Sequence, residues 1–383
     1  MPAAEGANAE GALPPIPAPI PYVNLSAQFE EEREELLAVV TAALQRADFV
    51  GGAAVGALER DLADFHGVAE AVALNSGTDA LMLAMLVLGI GRGDEVITPA
   101  NSFVASTASV VHVGATPVLV DVLPDQNLDP DAVERAITPR TKAIMPVHLT
   151  GRLADMDRIM GLAERHGLAV IEDAAQSVGS TWRGRLAGTF GDVGCFSAHP
   201  LKNLNACGDA GFLVTRRADL AERVRRLRSH GMVDRNTVAE FGLVSRLDTL
   251  QAAILRMRLK RLPGVIERRR RNAALYRELL DPAHVVVPPC REEEFNTFHT
   301  FVVQVDRRDE LQAHLAAQGI GTAIHYPVPI HLQPAAAGLG HKPGAFPVTE
   351  AQARRILTLP VNQFLGADDV TRVARAVNAF YRS

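Results

Sequence analysis

From residue 71 onward, short apolar runs alternate with longer stretches of helical periodicity. The runs Ala71–Leu74, Glu95–Thr98, Thr116–Val120, Ala143–Val147 and Ala169–Ile171 read as strands. Between them Thr78–Gly89, Val104–Val113, Pro130–Ile137 and Met156–His166 read as helices. This βαβ alternation predicts an α/β fold with a mainly parallel central sheet and flanking helices. In such a sheet ligands bind at the carboxyl ends of the strands. Upstream, Glu30–Leu44 predicts a charged amphipathic helix. Near Asp248 the texture changes to an Arg-rich helical stretch running to Leu280 and interrupted at Pro263-Gly264. Beyond it Thr300–Val305 predicts a strand, Arg308–Gln318 a helix, and the Pro-rich Tyr326–Pro347 a long functional loop. The expected organisation is a flexible Pro-rich tail over residues 1–20, a large α/β domain over 21–249 and a smaller C-terminal α+β domain over 250–383.

Composition narrows the function. With 383 residues, 48% hydrophobic and 22% charged, the chain suits a globular protein with a sizeable core. The longest apolar stretch, Ala80–Ile90, is too short for a bilayer, and the first twenty residues lack the basic start of a secretory signal. Cytoplasmic residence is the expectation, with no membrane partner. A net charge of −5 argues against general nucleic-acid binding. Three cysteines, Cys195, Cys207 and Cys290, are too few and scattered for a disulfide framework or a structural zinc site, so no metal is expected. Of 39 basic residues only four are lysines: Lys142, Lys202, Lys260 and Lys342.

Three strand ends offer polar or glycine residues where a ligand would bind. Asn75-Ser76-Gly77-Thr78-Asp79 joins a strand to a helix start, a natural phosphate cradle, and reads equally as Ser76 capping toward Asp79. Val170–Gln176 ends a buried strand in Glu172 and Asp173, which strand polarity sends to opposite faces. A carboxylate at that depth needs a cation, a protonated ring nitrogen or a turn to cap. Gly194–Asn203 places Lys202 in a glycine-flanked loop after a strand, whereas the other three lysines have ordinary solvated surroundings. Lysine forms Schiff bases with carbonyls when partly desolvated. A phosphate cradle, a strand-end acid and a loop lysine are the parts that pyridoxal phosphate (PLP) requires. No Walker A string and no strand-following G-x-G-x-x-G competes with this reading.

Seven motifs occur in one order: Ser76-Gly77-Thr78 with Ala80-Leu81; Gly91 to Pro99; Pro146-Val147-His148; Glu172-Asp173-Ala174-Ala175-Gln176; Phe196-Ser197 with Lys202-Asn203-Leu204; Ser245-Arg246-Leu247-Asp248 with Gln251-Ala252-Ala253; and His325-Tyr326-Pro327 with Ile330-His331. Together, over roughly residues 20–380, they resemble the DegT/StrS-type sugar aminotransferases, which have the aspartate aminotransferase fold, fold type I. The resemblance implies that Lys202 holds the cofactor aldehyde and shuttles the proton, and that the large domain binds PLP. It further implies that Asp173 pairs with the pyridine nitrogen, Gln176 lies near the ring hydroxyl, and Gly77, Thr78 and Ser197 hold the phosphate. Phe103 matches the aromatic stacked on the ring, though a core Phe is the alternative. His325, Tyr326 and His331 match the loop bordering the sugar site. His148 and His199 remain unassigned.

The implied activity passes an amino group from glutamate, through the pyridoxamine phosphate (PMP) form, to a keto group of a nucleotide-linked deoxy sugar. Two alternatives are a glutamine-dependent keto-cyclitol aminotransferase and a non-catalytic PLP-binding regulatory protein. A homodimer with shared active sites is also implied. One departure stands out: family members usually carry Asn, reaching the neighbouring subunit's cofactor phosphate, where this chain has Val244, and Arg246 or Arg235 are the nearby substitutes. Relatives that dehydrate sugars carry His in place of the lysine, so Lys202 marks a transaminase. The Arg223–Arg228 and Arg268–Arg271 clusters read as solvated or interface faces, or as a site for a nucleotide diphosphate.

Overall fold

The computed structural model describes residues 18–382. Most of the expected tail, residues 1–17, lies outside the described residues. Helices α1 (Leu25–Gln45) and α2 (Ala53–His66) precede an alternating series: β1 (Glu70–Leu74), α3 (Gly77–Val87), β2 (Glu95–Pro99), α4 (Val104–His112), β3 (Thr116–Val120), α5 (Pro130–Ala136), β4 (Thr141–Ile144), α6 (Met156–His166) and β5 (Ala169–Asp173). A small hairpin, β6 (Thr181–Trp182) and β7 (Arg185–Leu186), leads to β8 (Val193–Ser197), β9 (Gly211–Thr215) and α7 (Ala218–Leu227). The remainder comprises α8 (Thr249–Leu279), β10 (Val285–Val286), β11 (Glu294–Phe295), β12 (Phe301–Val305), α9 (Arg308–Ala317), α10 (Pro347–Arg355), β13 (Ile356–Leu359) and α11 (Ala367–Phe380).

Seven strands form the central sheet in the order β1-β9-β8-β5-β4-β2-β3. The pairs from β8 through β5, β4 and β2 to β3 are parallel, and β9 runs against both its neighbours. The mainly parallel α/β expectation therefore holds. Because β1, β5 and β8 point the same way, their carboxyl ends open on one edge, and the site is built there.

Alternation along each strand feeds two cores. In β1, Val72 and Leu74 share a core with Leu81 of α3 and Val224 of α7, while Ala71 and Ala73 share the other with Leu58 and Leu62 of α2 and Ile159 of α6. A third core lies between α9, α11, the end of α8 and the antiparallel sheet β10-β12-β13.

Two elements differ from expectation. The strand expected to reach Val147 is continuous only to Ile144; Pro146, with no N–H to donate, interrupts it, and pairing resumes as a bridge between Val147 and Asp173. Helix α8 runs through Pro263 without a break. Pro263 forfeits its bond to the Leu259 carbonyl, a cost of about 3 kcal/mol. Against this, Leu255, Leu259, Leu262 and Ile266 are all buried, at about 1.5–3 kcal/mol each. Burial wins, and the helix, about 46 Å long at 1.5 Å per residue, connects the first core to the third.

Candidate active site

A cavity of about 430 Å³ opens at the carboxyl edge of the sheet. Gly77, Thr78, Phe103, Asp173, Gln176 and Ser197 line it, and so do Lys202, His325 and Tyr326. His331 does not: it is buried beneath the loop, with Nε2 3.0 Å from Oε1 of Glu350.

The β1–α3 turn forms one wall. Ser76 Oγ accepts from Asp79 N at 3.0 Å, so the cap is real. The Asp79 carboxylate does not close a box back onto Ser76; its Oδ2 accepts from Ser245 Oγ at 2.7 Å. Capping and ligand binding therefore coexist, because the first two helical N–H groups, of Gly77 and Thr78, have no acceptor among the described residues. A Cβ on Gly77 would lie 2.8 Å from Cβ of Ser197, and one on Gly211 would lie 2.3 Å from the Ser76 carbonyl carbon. The turn is thus seated directly on β8 and β9, with two N–H groups and the helix dipole aimed at the cavity.

The two carboxylates of β5 separate as strand geometry requires. Glu172 points away from the cavity and is fully buried. It accepts from the N–H groups of Gly188, Phe190 and Gly191 at 2.8, 2.6 and 2.7 Å. His148 completes its shell: Nδ1 accepts from Ala154 N at 3.2 Å, so the proton is on Nε2, which donates to Glu172 at 2.9 Å. His148 is structural. Asp173 faces the cavity, with Oδ2 accepting from Ser106 Oγ at 2.7 Å and Oδ1 from Ala175 N at 3.2 Å. Each oxygen keeps a lone pair for a ligand.

Lys202 reaches the same cavity from the loop after β8, and its Nζ makes no hydrogen bond or ion pair among the described residues. Burial pushes its pKa from 10.5 down to about 8, with Asp173 pulling the other way. Gln176 is oriented by two bonds, its Oε1 accepting from Thr150 N at 2.8 Å and its Nε2 donating to the Tyr326 hydroxyl at 3.3 Å. The Tyr326 ring lies 5.7 Å from that of Phe103. Phe103 is no core residue: 53% of it is exposed, at the mouth of the cavity. His325 Nδ1 lies 2.9 Å from Thr358 Oγ1, and burial, reinforced by Lys202, lowers its pKa to about 4. It is a neutral imidazole at pH 7.

Sequence reasoning missed Ser106, which holds Asp173, and the wall contributed by Tyr22, His299 and Asn362, and it took Arg269 only as one of the Arg268–Arg271 cluster. A signal for Arg269 existed: it occupies the apolar stripe of α8, in step with Leu255, Leu259, Leu262, Ile266, Ala273 and Tyr276. Its Arg neighbours in the sequence concealed it. Of the other clustered arginines, Arg223 pairs with Glu240 at 2.9 Å, Arg225 with Glu70 at 2.8 Å, Arg228 with Glu59 at 2.5 Å and Arg268 with Glu31 at 2.8 Å, while Arg270 donates to the Asn296 carbonyl at 2.6 Å. Val244 is 53% exposed, and neither Arg235 nor Arg246 has a partner among the described residues.

The site fits PLP. The free N–H pair suits a phosphate, the Asp173 carboxylate suits a protonated ring nitrogen, and the unpartnered Lys202 amine suits an aldehyde. Bound there, PLP supplies that aldehyde and a conjugated ring that accepts electrons from a breaking C–H bond.

Comparison with known proteins agrees. Residues 30–378 match the DegT/DnrJ/EryC1/StrS aminotransferase family. The chain is 44% identical to dTDP-3-amino-3,4,6-trideoxy-alpha-D-glucose transaminase of Streptomyces venezuelae, over 94% of this chain and 95% of that protein. It is 41% identical to a pleiotropic regulatory protein of Geobacillus stearothermophilus, over 95% of this chain and 99% of that protein. Among solved structures, S. venezuelae DesV in complex with a ketimine intermediate superposes with a TM-score of 0.94 at 43% identity, covering 96% of this chain and all of DesV. With its lysine, acid and phosphate cradle in place on that fold, the chain belongs to the DegT/DnrJ/EryC1/StrS family and is a PLP-dependent aminotransferase of fold type I.

Proposed function

We propose that the protein transfers the amino group of glutamate to a keto group of a nucleotide-linked deoxy sugar, in amino-sugar biosynthesis. The unpartnered Lys202 amine, in one cavity with Asp173 and the Gly77–Thr78 N–H pair, is the observation that carries this reading. The relatives named for dTDP- and UDP-sugar amination support the acceptor class. In this reading Gly77, Thr78 and Ser197 anchor the cofactor phosphate, Asp173 keeps the ring nitrogen protonated, and Gln176 borders the ring hydroxyl. Phe103 covers one ring face, Lys202 Nζ moves the proton, and His325 and Tyr326 border the sugar; His331 supports their loop from below.

The working unit is a homodimer with shared active sites, in the cytoplasm. Phe241 is 100% exposed, and Val233, Val238 and Val244 are exposed on the same segment between α7 and α8. A solvated Phe beside three solvated valines suits a surface covered by a second copy. Val244 cannot donate to a neighbouring subunit's phosphate, and Arg246, exposed and unpartnered two residues on, takes that role.

The test is incubation of the holoenzyme with L-glutamate and dTDP- or UDP-linked keto sugars, followed by mass spectrometry. Formation of 2-oxoglutarate and an amino sugar supports the reading. Turnover only with glutamine and a keto-cyclitol, or cofactor binding with no turnover, replaces it with the cyclitol or the regulatory alternative.

A further inference from the structure

Three arginines are buried among the described residues: Arg152, Arg258 and Arg269. Arg152 Nε lies 3.1 Å from Glu294, and Arg258 pairs with Glu32. Arg269, with 7% of its surface exposed, has no carboxylate partner among the described residues. Its Nε donates to Gln363 Oε1 at 3.1 Å, and its Nη1 donates to the carbonyls of Phe298 and His299 at 3.2 and 3.1 Å. Three bonds fix the guanidinium plane. Nη2 has no partner among the described residues, and the side chain lines the active-site cavity. A buried, rigidly held cation without a counter-charge is costly unless an anion arrives from outside.

Two acids, Asp173 and Asp209, line the same cavity, and neither pairs with Arg269. His299, whose Nδ1 is buried and unpartnered, and Lys202 and His325 share the cavity with Arg269. Burial, with Lys202 and Arg269 next in weight, holds the His299 pKa well below its ordinary value, so this ring responds to both cations. The cofactor phosphate has its own anchor at the end of β1. Arg269 instead belongs to the wall formed with Tyr22, His299 and Asn362. An amino acid carries a carboxylate one carbon from its amine, so an anion held at Arg269 keeps that amine inside the cavity that Lys202 also lines.

We propose that Arg269 Nη2, with Tyr22, His299 and Asn362 around it, forms the subsite for a carboxylate of the amino-acid donor. The inference rests on the aminotransferase reading above and adds the residue that recognises the donor. The guanidinium fork fits a planar carboxylate, and neutral His299 has a ring nitrogen free for the same ligand.

The test compares wild type, Arg269→Gln and Arg269→Lys as holoenzymes. Glutarate, a dicarboxylate without an amine, is titrated against the visible cofactor band, and a nucleotide sugar is titrated in parallel. The expected result is a 30- to 100-fold weaker glutarate affinity in Arg269→Gln, roughly the loss of one charge-assisted hydrogen bond, with partial recovery in Arg269→Lys. The resting band and the nucleotide-sugar affinity stay unchanged, and kcat/KM for glutamate falls in parallel with glutarate binding. Weakened nucleotide-sugar binding with intact glutarate binding would overturn the proposal in favour of a diphosphate site. Unchanged affinity for both would make Arg269 purely structural. If wild type converts no glutamate, the donor assignment fails while the glutarate titration still decides the subsite.

Discussion

The Ser106 hydroxyl donates a 2.7 Å hydrogen bond to Oδ2 of Asp173 and fixes the carboxylate at the cavity wall. The bond is buried and charge-assisted, worth about 1.5–3 kcal/mol. Ser106→Ala should raise the dissociation constant of the apoprotein for PLP about tenfold, measured by absorbance titration. An unchanged constant would mean that the orientation of Asp173 is set elsewhere.

Adjacent acids should fail in different ways. Glu172 accepts three backbone N–H groups and the His148 Nε2–H, so Glu172→Gln turns an amide N–H against donors in a closed pocket. The fold should lose about 2–3 kcal/mol in chemical denaturation. Asp173→Asn should leave unfolding nearly unchanged and slow the glutamate half-reaction at least about 100-fold, because the amide cannot hold a proton on the ring nitrogen. The opposite pattern would reverse the two roles.

The Lys202 amine titrates near 8 in the folded chain and near 10.5 unfolded. At pH 7 about 10% of it is the neutral nucleophile, against about 0.03% for an ordinary lysine. Capture of PLP by the apoprotein should therefore quicken about tenfold per pH unit below 8 and level off above it, measured by stopped-flow absorbance. The sign for stability follows by linkage. Between the two values the unfolded chain holds more protons, so apoprotein stability from this group rises with pH from about 8 to 10.5 and is lowest below 8. A midpoint near 10 would contradict the desolvated environment.

The sheet was legible because strands β1 to β5 write their burial as short apolar runs, and the cradle, the strand-end acid and the loop lysine each lie at a strand end. What stayed hidden depended on tertiary packing. Helix α8 survives Pro263 because both of its ends are clamped by separate cores, which a local rule about proline does not see. His331 shares a motif with the cavity residues His325 and Tyr326, yet Glu350, nineteen residues on, draws it under the loop. Tyr22, Arg269, His299 and Asn362 come from four distant segments, and only the closed fold brings them to one wall.

The most direct test of the central claim is the absorbance of PLP-loaded wild type and Lys202→Ala before and after L-glutamate is added. Wild type should show the visible band of lysine-bound cofactor and lose it to PMP as 2-oxoglutarate appears. Lys202→Ala, still folded by circular dichroism, should show neither the band nor the conversion. A Lys202→Ala protein that kept the band and full turnover would contradict the assignment of Lys202.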